Sequence, residues 1–211
     1  MSGSGPGSER AAIRELIENW ALWRDAGLWE RFRTVWHDDG YMMATWFQGS
    51  ADDFIAANRR GWDRGVVILH FLGGTSIDIA DNRAIAQTKM TISQRAPIVG
   101  VECDVLCTGR FYDFFEKRLG RWGLVLRQPI YEKDRIDPVD PSVTLTLDPK
   151  RLEAFPEGYR HLAYLQTNIG YAVKKDMPGL KGQVVQALYT MGAAWLQGAS
   201  LQEWLAGRTA S

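Results

Sequence analysis

Between Leu69 and Glu132 the chain alternates apolar and polar residues through unusually long runs, broken by short turn sequences. Residues 69–80 and 83–95 flank Asp81-Asn82, residue types that tolerate positive φ, and residues 99–117 and 121–132 flank Leu119-Gly120. This pattern predicts a meander of four long antiparallel strands. Strands of that length curve as they twist, so helices can pack on the concave side and leave a hollow at one end. The expected fold class is α+β: a cone of helices on a curved antiparallel sheet.

The flanking segments supply the helices. Ser8 is placed to cap a helix with Ile13, Leu16, Ile17, Trp20 and Ala21 on one face, ending near Asp25-Ala26-Gly27. A second short helix carries Leu28, Phe32, Val35 and Trp36. Asp38-Asp39-Gly40 interrupts the pattern, Tyr41 to Trp46 reads as a strand, and Ser50-Ala51-Asp52-Asp53 opens a helix bearing Phe54, Ile55, Asn58 and Trp62. Residues 138–149 hold three prolines and read as a connection. Two amphipathic helices follow, one with Leu162, Leu165, Ile169 and Val173 and one with Val184, Val185, Leu188 and Trp195, separated by Pro178-Gly179. The expected division is a flexible leader (1–8), a cone (9–138) and a helical C-terminal extension (139–211). A helix pair of this length cannot bury its apolar stripe alone, so the extension docks on the cone as a lid or reaches across a subunit boundary.

Composition narrows the partners. Lys and Arg number 25 against 25 Asp and Glu, which leaves no excess positive charge for nucleic acid or an anionic membrane. No apolar run approaches the roughly 20 residues that cross a bilayer, and the start of the chain has neither the basic nor the apolar region of a secretion signal. A cytoplasmic protein is expected. Cys103 and Cys107 lie four apart on a strand, too far for a bridge. Nine Trp, seven Tyr and eight Phe suffice for a core, a subunit interface or a pocket for a flat ligand.

Of three histidines, His70 stands out because it sits in the apolar strand start Val66-Val67-Ile68-Leu69-His70-Phe71-Leu72. Imidazole titrates near neutrality, at about 6.5, and so suits proton transfer. Asp25 closes the first helix, where a negative charge opposes the helix dipole, so it is either a solvated turn residue or held there by a partner. A carboxylate on one ring nitrogen of a histidine fixes the tautomer and raises the basicity of the other. A strict two-residue hairpin at Asp81-Asn82 pairs positions that sum to 163, so His70 faces Ser93, Leu72 faces Thr91 and Gly74 faces Lys89. In that register His70, Lys89 and Thr91 share a face, which either lines a wet pocket or meets solvent. A bulge would break this register. Tyr112, in the aromatic third strand, is a candidate substrate contact. His37 beside Asp38 and Asp39 lacks further ligands, so no metal site is expected. No phosphate-binding glycine loop and no Gly-x-Ser-x-Gly elbow is present.

A longer pattern runs through residues 9–138. It comprises Ala11-Ala12-Ile13-Arg14-Glu15-Leu16, Asp25 with Trp29 and then Trp36-His37-Asp38-Asp39, and the His70-Phe71 strand start. The hairpin Ile77-Asp78-Ile79-Ala80-Asp81-Asn82-Arg83-Ala84 follows, then Gly109-Arg110-Phe111-Tyr112-Asp113, Arg121-Trp122 and Arg127. In order and spacing these resemble the NTF2-like superfamily in its SnoaL-like and scytalone dehydratase-like branch. The resemblance implies a cofactor-independent lyase in which Asp25 and His70 form an acid/base pair without metal. It implies a bulky aromatic substrate that loses water or, as in diarylpropane lyases, formaldehyde by C–C cleavage. Arg127 matches an arginine that members place near the pocket and joins Lys89 as a candidate to stabilise a departing oxygen. Met42 and Trp46 fall where members place a pocket wall. Members also include isomerases, polyketide cyclases and non-catalytic binding proteins, and they pair through the sheet, which implies a homodimer or homotrimer. The extension beyond residue 139 departs from the short members.

Overall fold

The computed structural model describes residues 6–209. Three helices and two strands lead in: α1 (Pro6–Asp25), α2 (Trp29–Arg33), β1 (Trp36–Met43), β2 (Gln48–Ser50) and α3 (Ala51–Asp63). Four long strands follow, β3 (Val67–Ala80), β4 (Arg83–Ile98), β5 (Val101–Arg118) and β6 (Arg121–Pro138), and then the helices α4 (Pro149–Glu153), α5 (Arg160–Asn168), α6 (Gln183–Leu196) and α7 (Gln202–Thr209). The six strands form one sheet in the order β2-β1-β6-β5-β4-β3, antiparallel except for β1 beside β6. The expected α+β cone is what the chain forms.

Local chemistry explains most of the boundaries. Asp81 and Leu119 take φ of +51° and +49°, with Gly120 following at +82°, so both expected turns form where they were read. A further turn at Val99-Gly100, both at positive φ, carries β4 to Ile98 and starts β5 at Val101. Ser50 caps α3, its hydroxyl accepting from the Asp53 N–H at 3.1 Å. Ser8, by contrast, lies inside α1, which already begins at Pro6, and residues 1–5 of the expected leader lie outside the described residues. Trp36 belongs to β1, not to the second helix, and Asp38 to Gly40 form an irregular stretch of that strand opposite β6.

The hairpin of β3 and β4 departs from the strict register. Ala80 to Thr75 pair as expected, but beyond Gly73-Gly74 the partners shift by one, so His70 faces Ile92, not Ser93, and Leu72 faces Met90. Two glycines carry the extra residue because a bulge leaves one position unpaired and bends the strand. Ile68 and His70 above the bulge therefore share the concave face with Ile77 and Ile79 below it. On β4 that face collects the buried residues Ala84, Ala86, Thr88, Met90, Ile92 and Gln94.

The C-terminal extension divides between the two faces of the sheet. Tyr159, Leu162, Tyr164 and Leu165 join the concave core with Ile13, Ile17 and Trp20 of α1 and Phe54 of α3. Val185, Leu188 and Trp195 of α6 pack with Ile85, Tyr112, Phe114 and Ile130 on the convex face. The contact is close at Gly192, where a Cβ would come 1.9 Å from the Tyr112 hydroxyl. The first of the two expected tail helices is shorter than its apolar spacing suggests, since α5 stops at Asn168 and Val173 lies in irregular chain. Among the described residues no helix is long and apolar enough to cross a membrane.

Candidate functional site

At the C-terminal end of α1, Asp25 reaches β3. Its Oδ2 accepts the His70 backbone N–H at 2.5 Å and its Oδ1 lies 2.8 Å from His70 Nδ1. The neighbouring Arg24 is almost fully buried and fastens the same corner: it donates to Asn58 Oδ1 at 2.7 Å, to the Ile68 carbonyl at 2.7 Å and to Asp25 Oδ1 at 3.2 Å. These bonds compensate a carboxylate placed against the helix dipole.

With Nδ1 bound to a carboxylate oxygen, the ring proton sits on Nδ1 and the Nε2 lone pair is left to act. Nε2 has no hydrogen-bond partner among the described residues. The side chain is 6% exposed, with Trp20 edge-on at 5.2 Å and Phe111 at 5.9 Å. Burial depresses the imidazole pKa below its ordinary value, Asp25 opposes that shift, and the charges of Arg24 and Arg127 add to the depression. His70 is thus a neutral base at neutral pH.

A small, partly open cavity of about 30 Å³ adjoins the imidazole. His70, Trp20, Phe111, Trp46 and Phe54 give it an aromatic wall beside Met42, and Leu162 and Gln166 of α5 also line it. The extension therefore contributes to the lining of the cavity. A space of this size admits one or two waters, well short of the roughly 150 Å³ of a dry cavity that takes benzene. A larger guest needs this space to widen, and Trp46, Leu162 and Gln166 are among the lining residues that would give way.

The other expected site residues separate. Met42 and Trp46 line the cavity. Arg127 is fully buried but lies behind the wall, paired with Asp113 through Nε at 2.8 Å and Nη2 at 2.7 Å, its guanidinium 3.9 Å over Phe111 and 4.2 Å over Trp20. Its charge reaches His70, but Arg127 does not line the cavity. Lys89 and Thr91 are corrections: the bulge turns them to the convex face, where they pair with Arg110 and Thr108. Tyr112 is a third correction, since Phe111 and Asp113 point inward and the intervening residue must point out, against α6. Asp38 and Asp39 diverge to Arg33 and Arg118, while His37 Nε2 contacts the Glu116 carbonyl. Among the described residues no three His, Cys, Asp or Glu side chains come together as a metal cage requires.

Sequence reasoning missed Arg24, Thr45, Gln94, Tyr131 and Gln166, all of which line the cavity. Arg24 had a visible cue, a cation next to an oddly placed Asp25. Gln94 required the bulged register and Gln166 the docking of α5. A second Asp–His pair was missed as well. Asp134, whose side chain is fully buried, accepts from the backbone N–H of His161 at 2.6 Å and of Leu162 at 2.8 Å, and contacts His161 Nδ1 at 2.7 Å, which ties down the start of α5.

A curved sheet with an Asp–His pair at the mouth of its concave face defines a class. Residues 8–128 match the family model of the SnoaL-like domain, and the chain belongs to that family. Along 96% of its length it is 39% identical to the pea pathogenicity protein 2 of Fusarium vanettenii, 93% of which is covered. Among solved structures, a putative scytalone dehydratase from Novosphingobium aromaticivorans superposes with a TM-score of 0.52 at 16% identity, covering 66% of this chain and 96% of that one. A type 2 hexachlorocyclohexane dehydrochlorinase superposes with a TM-score of 0.54 at 12% identity, covering 67% and 95%. At such identities the superpositions establish the fold: the NTF2-like architecture in its SnoaL-like branch.

Proposed function

We propose that this protein is a cofactor-independent lyase acting on an aromatic small molecule, with His70 as the base and Asp25 as the group that orients it. The observation that carries the reading is the unpartnered Nε2 of a neutral, buried imidazole beside a cavity walled by Trp20, Trp46, Phe54 and Phe111. In the elimination, Nε2 takes a proton from carbon, the C–H electron pair becomes the new double bond, and the hydroxyl on the neighbouring carbon departs. The imidazolium returns the proton to that oxygen as water leaves. If the proton comes instead from a hydroxymethyl oxygen, the C–C bond breaks, formaldehyde leaves, and its electron pair forms the double bond as the neighbouring group departs. A positioned base contributes on the order of 10²–10⁴-fold. Arg127, behind the wall, adds positive potential. It adds to burial, the larger cause, in keeping His70 neutral at rest.

The small volume of the cavity favours a second reading, in which Asp25 and His70 are a buried polar pair of a binding protein. An isomerase or cyclase differs from the lyase in returning the proton to the substrate. One experiment separates the three: incubate purified protein with a panel of aryl alcohols and diaryl dimers and follow product mass. Loss of water or formaldehyde, abolished in His70→Ala, supports the lyase. An unchanged mass with altered structure supports an isomerase, and binding without conversion supports the second reading.

A further inference from the structure

Beyond the base, the cavity has a polar pole. Gln94 is 1% exposed, lines the cavity, and its Oε1 has no hydrogen-bond partner among the described residues. Opposite, Gln166 from α5 accepts the Thr45 hydroxyl on Oε1 at 2.8 Å, which leaves its Nε2 donors without an acceptor among the described residues. Gln94 Oε1 is thus a buried acceptor without a partner, and the Gln166 amide nitrogen is a donor without one on the lining of the same small space, a pairing that a group able both to donate and to accept would complete. Neighbouring Tyr131 adds a hydroxyl that accepts from the Thr45 N–H at 3.3 Å.

We infer that Gln94 and Gln166 form a subsite that grips a hydroxyl group of the ligand. A hydroxyl both donates and accepts, so it satisfies the Gln94 acceptor and the Gln166 donor together, whereas a carbonyl or ether oxygen serves only the donor. Ile68 pairs with Gln94 and His70 with Ile92, which makes Gln94 a diagonal neighbour of His70, about 7–8 Å away across the strands. A hydroxyl held there lies within one ring of a group presented to Nε2. The ligand class is therefore a phenol or aryl alcohol. Gln166 comes from the C-terminal extension, so the extension itself contributes to the selection. The inference rests on the reading of this cavity as the ligand site, not on the lyase chemistry.

The test uses p-cresol and p-xylene, in which a methyl replaces the hydroxyl at nearly constant shape, titrated calorimetrically into the full chain. Wild type binds p-cresol roughly tenfold or more tightly than p-xylene, since the latter leaves the amides unpaired. Gln94→Met and Gln166→Met each erase most of that preference. Gln94→Met is also expected to keep the wild-type Tm, because neither amide atom it removes has a partner among the described residues. Equal binding of the two probes by wild type, or a preference that survives both substitutions, overturns the subsite while the ligand cavity stands; the amides would then hold a structural water. If neither probe binds, the ligand cavity itself fails and takes the subsite with it. Should one variant misfold, the other carries the comparison, and the wild-type ratio decides if both do.

Discussion

The molecule holds two Asp–His pairs of nearly the same local geometry and puts them to different uses. In each, one carboxylate accepts from the backbone N–H of the histidine and contacts its Nδ1, at 2.5 and 2.8 Å for Asp25–His70 and at 2.6 and 2.7 Å for Asp134–His161. The surroundings differ. His70 lies on a strand with its ring 6% exposed among aromatic walls, and its pKa is depressed by burial. His161 opens a helix, is 19% exposed, and shares its carboxylate with the Leu162 N–H, so that Asp134 acts as a cap supplied from another element. The difference teaches that a dyad becomes a candidate base through what lies beyond Nε2, whereas hydrogen-bond geometry alone describes a clasp equally well.

Exchanging the histidines one at a time puts the contrast to its hardest trial. His70→Ala is expected to lower turnover on the order of 10²–10⁴-fold with the far-ultraviolet circular dichroism unchanged, whereas His161→Ala costs less than about tenfold. Equal losses would erase the distinction. Next in size is the clasp: Asp134→Ala leaves the first N–H groups of α5 without their acceptor and should lower stability by roughly 2–3 kcal/mol in urea denaturation. Since α5 lines the cavity, the same variant should admit p-cresol faster in stopped-flow mixing.

The pH dependence is a smaller effect and is carried here by His70. The His70 pKa is depressed in the fold, so above about pH 6.5 both folded and unfolded forms are neutral and no stability difference arises. As pH falls through the unfolded value the unfolded chain takes up a proton that the fold refuses, and stability declines until the folded value is passed. His70→Gln should flatten that decline. In kinetics the acid limb of kcat/KM should fall below pH 6.5. A limb above 6.5 would mean that Asp25 outweighs burial. Smallest of all, Gly192→Ala forces the Tyr112 hydroxyl to shift and should cost about 1–3 kcal/mol in thermal unfolding while leaving turnover unchanged, because α6 covers the face remote from the cavity.

How much of this was legible follows from the range of each interaction. Asp25 and His70 were readable as a pair because each is odd in its own segment: an acid at a helix C-terminus, an imidazole in an apolar strand. Met42 and Trp46 came from the family likeness, and both meet the cavity. Lys89 and Thr91 failed together, for one reason. Side chains alternate with period two along a strand, so the single extra residue at Gly73-Gly74 reverses the face of every position inferred across it. Tyr112 was misjudged because aromatic density says that a strand is buried and not on which side, and α6 makes both sides buried here.

The amino-acid sequence by itself settled the long strands, their turns at Asp81-Asn82 and Leu119-Gly120, the Ser50 cap and the α+β class, since these depend on the alternation of residues and on backbone preferences a few positions wide. Tertiary structure decided the strand register beyond the bulge, the division of the C-terminal extension between the two faces of the sheet, and the placement of Gln94 and Gln166 on one cavity. Those outcomes depend on contacts between residues far apart in the chain, where one inserted residue or one docked helix changes which groups share a space.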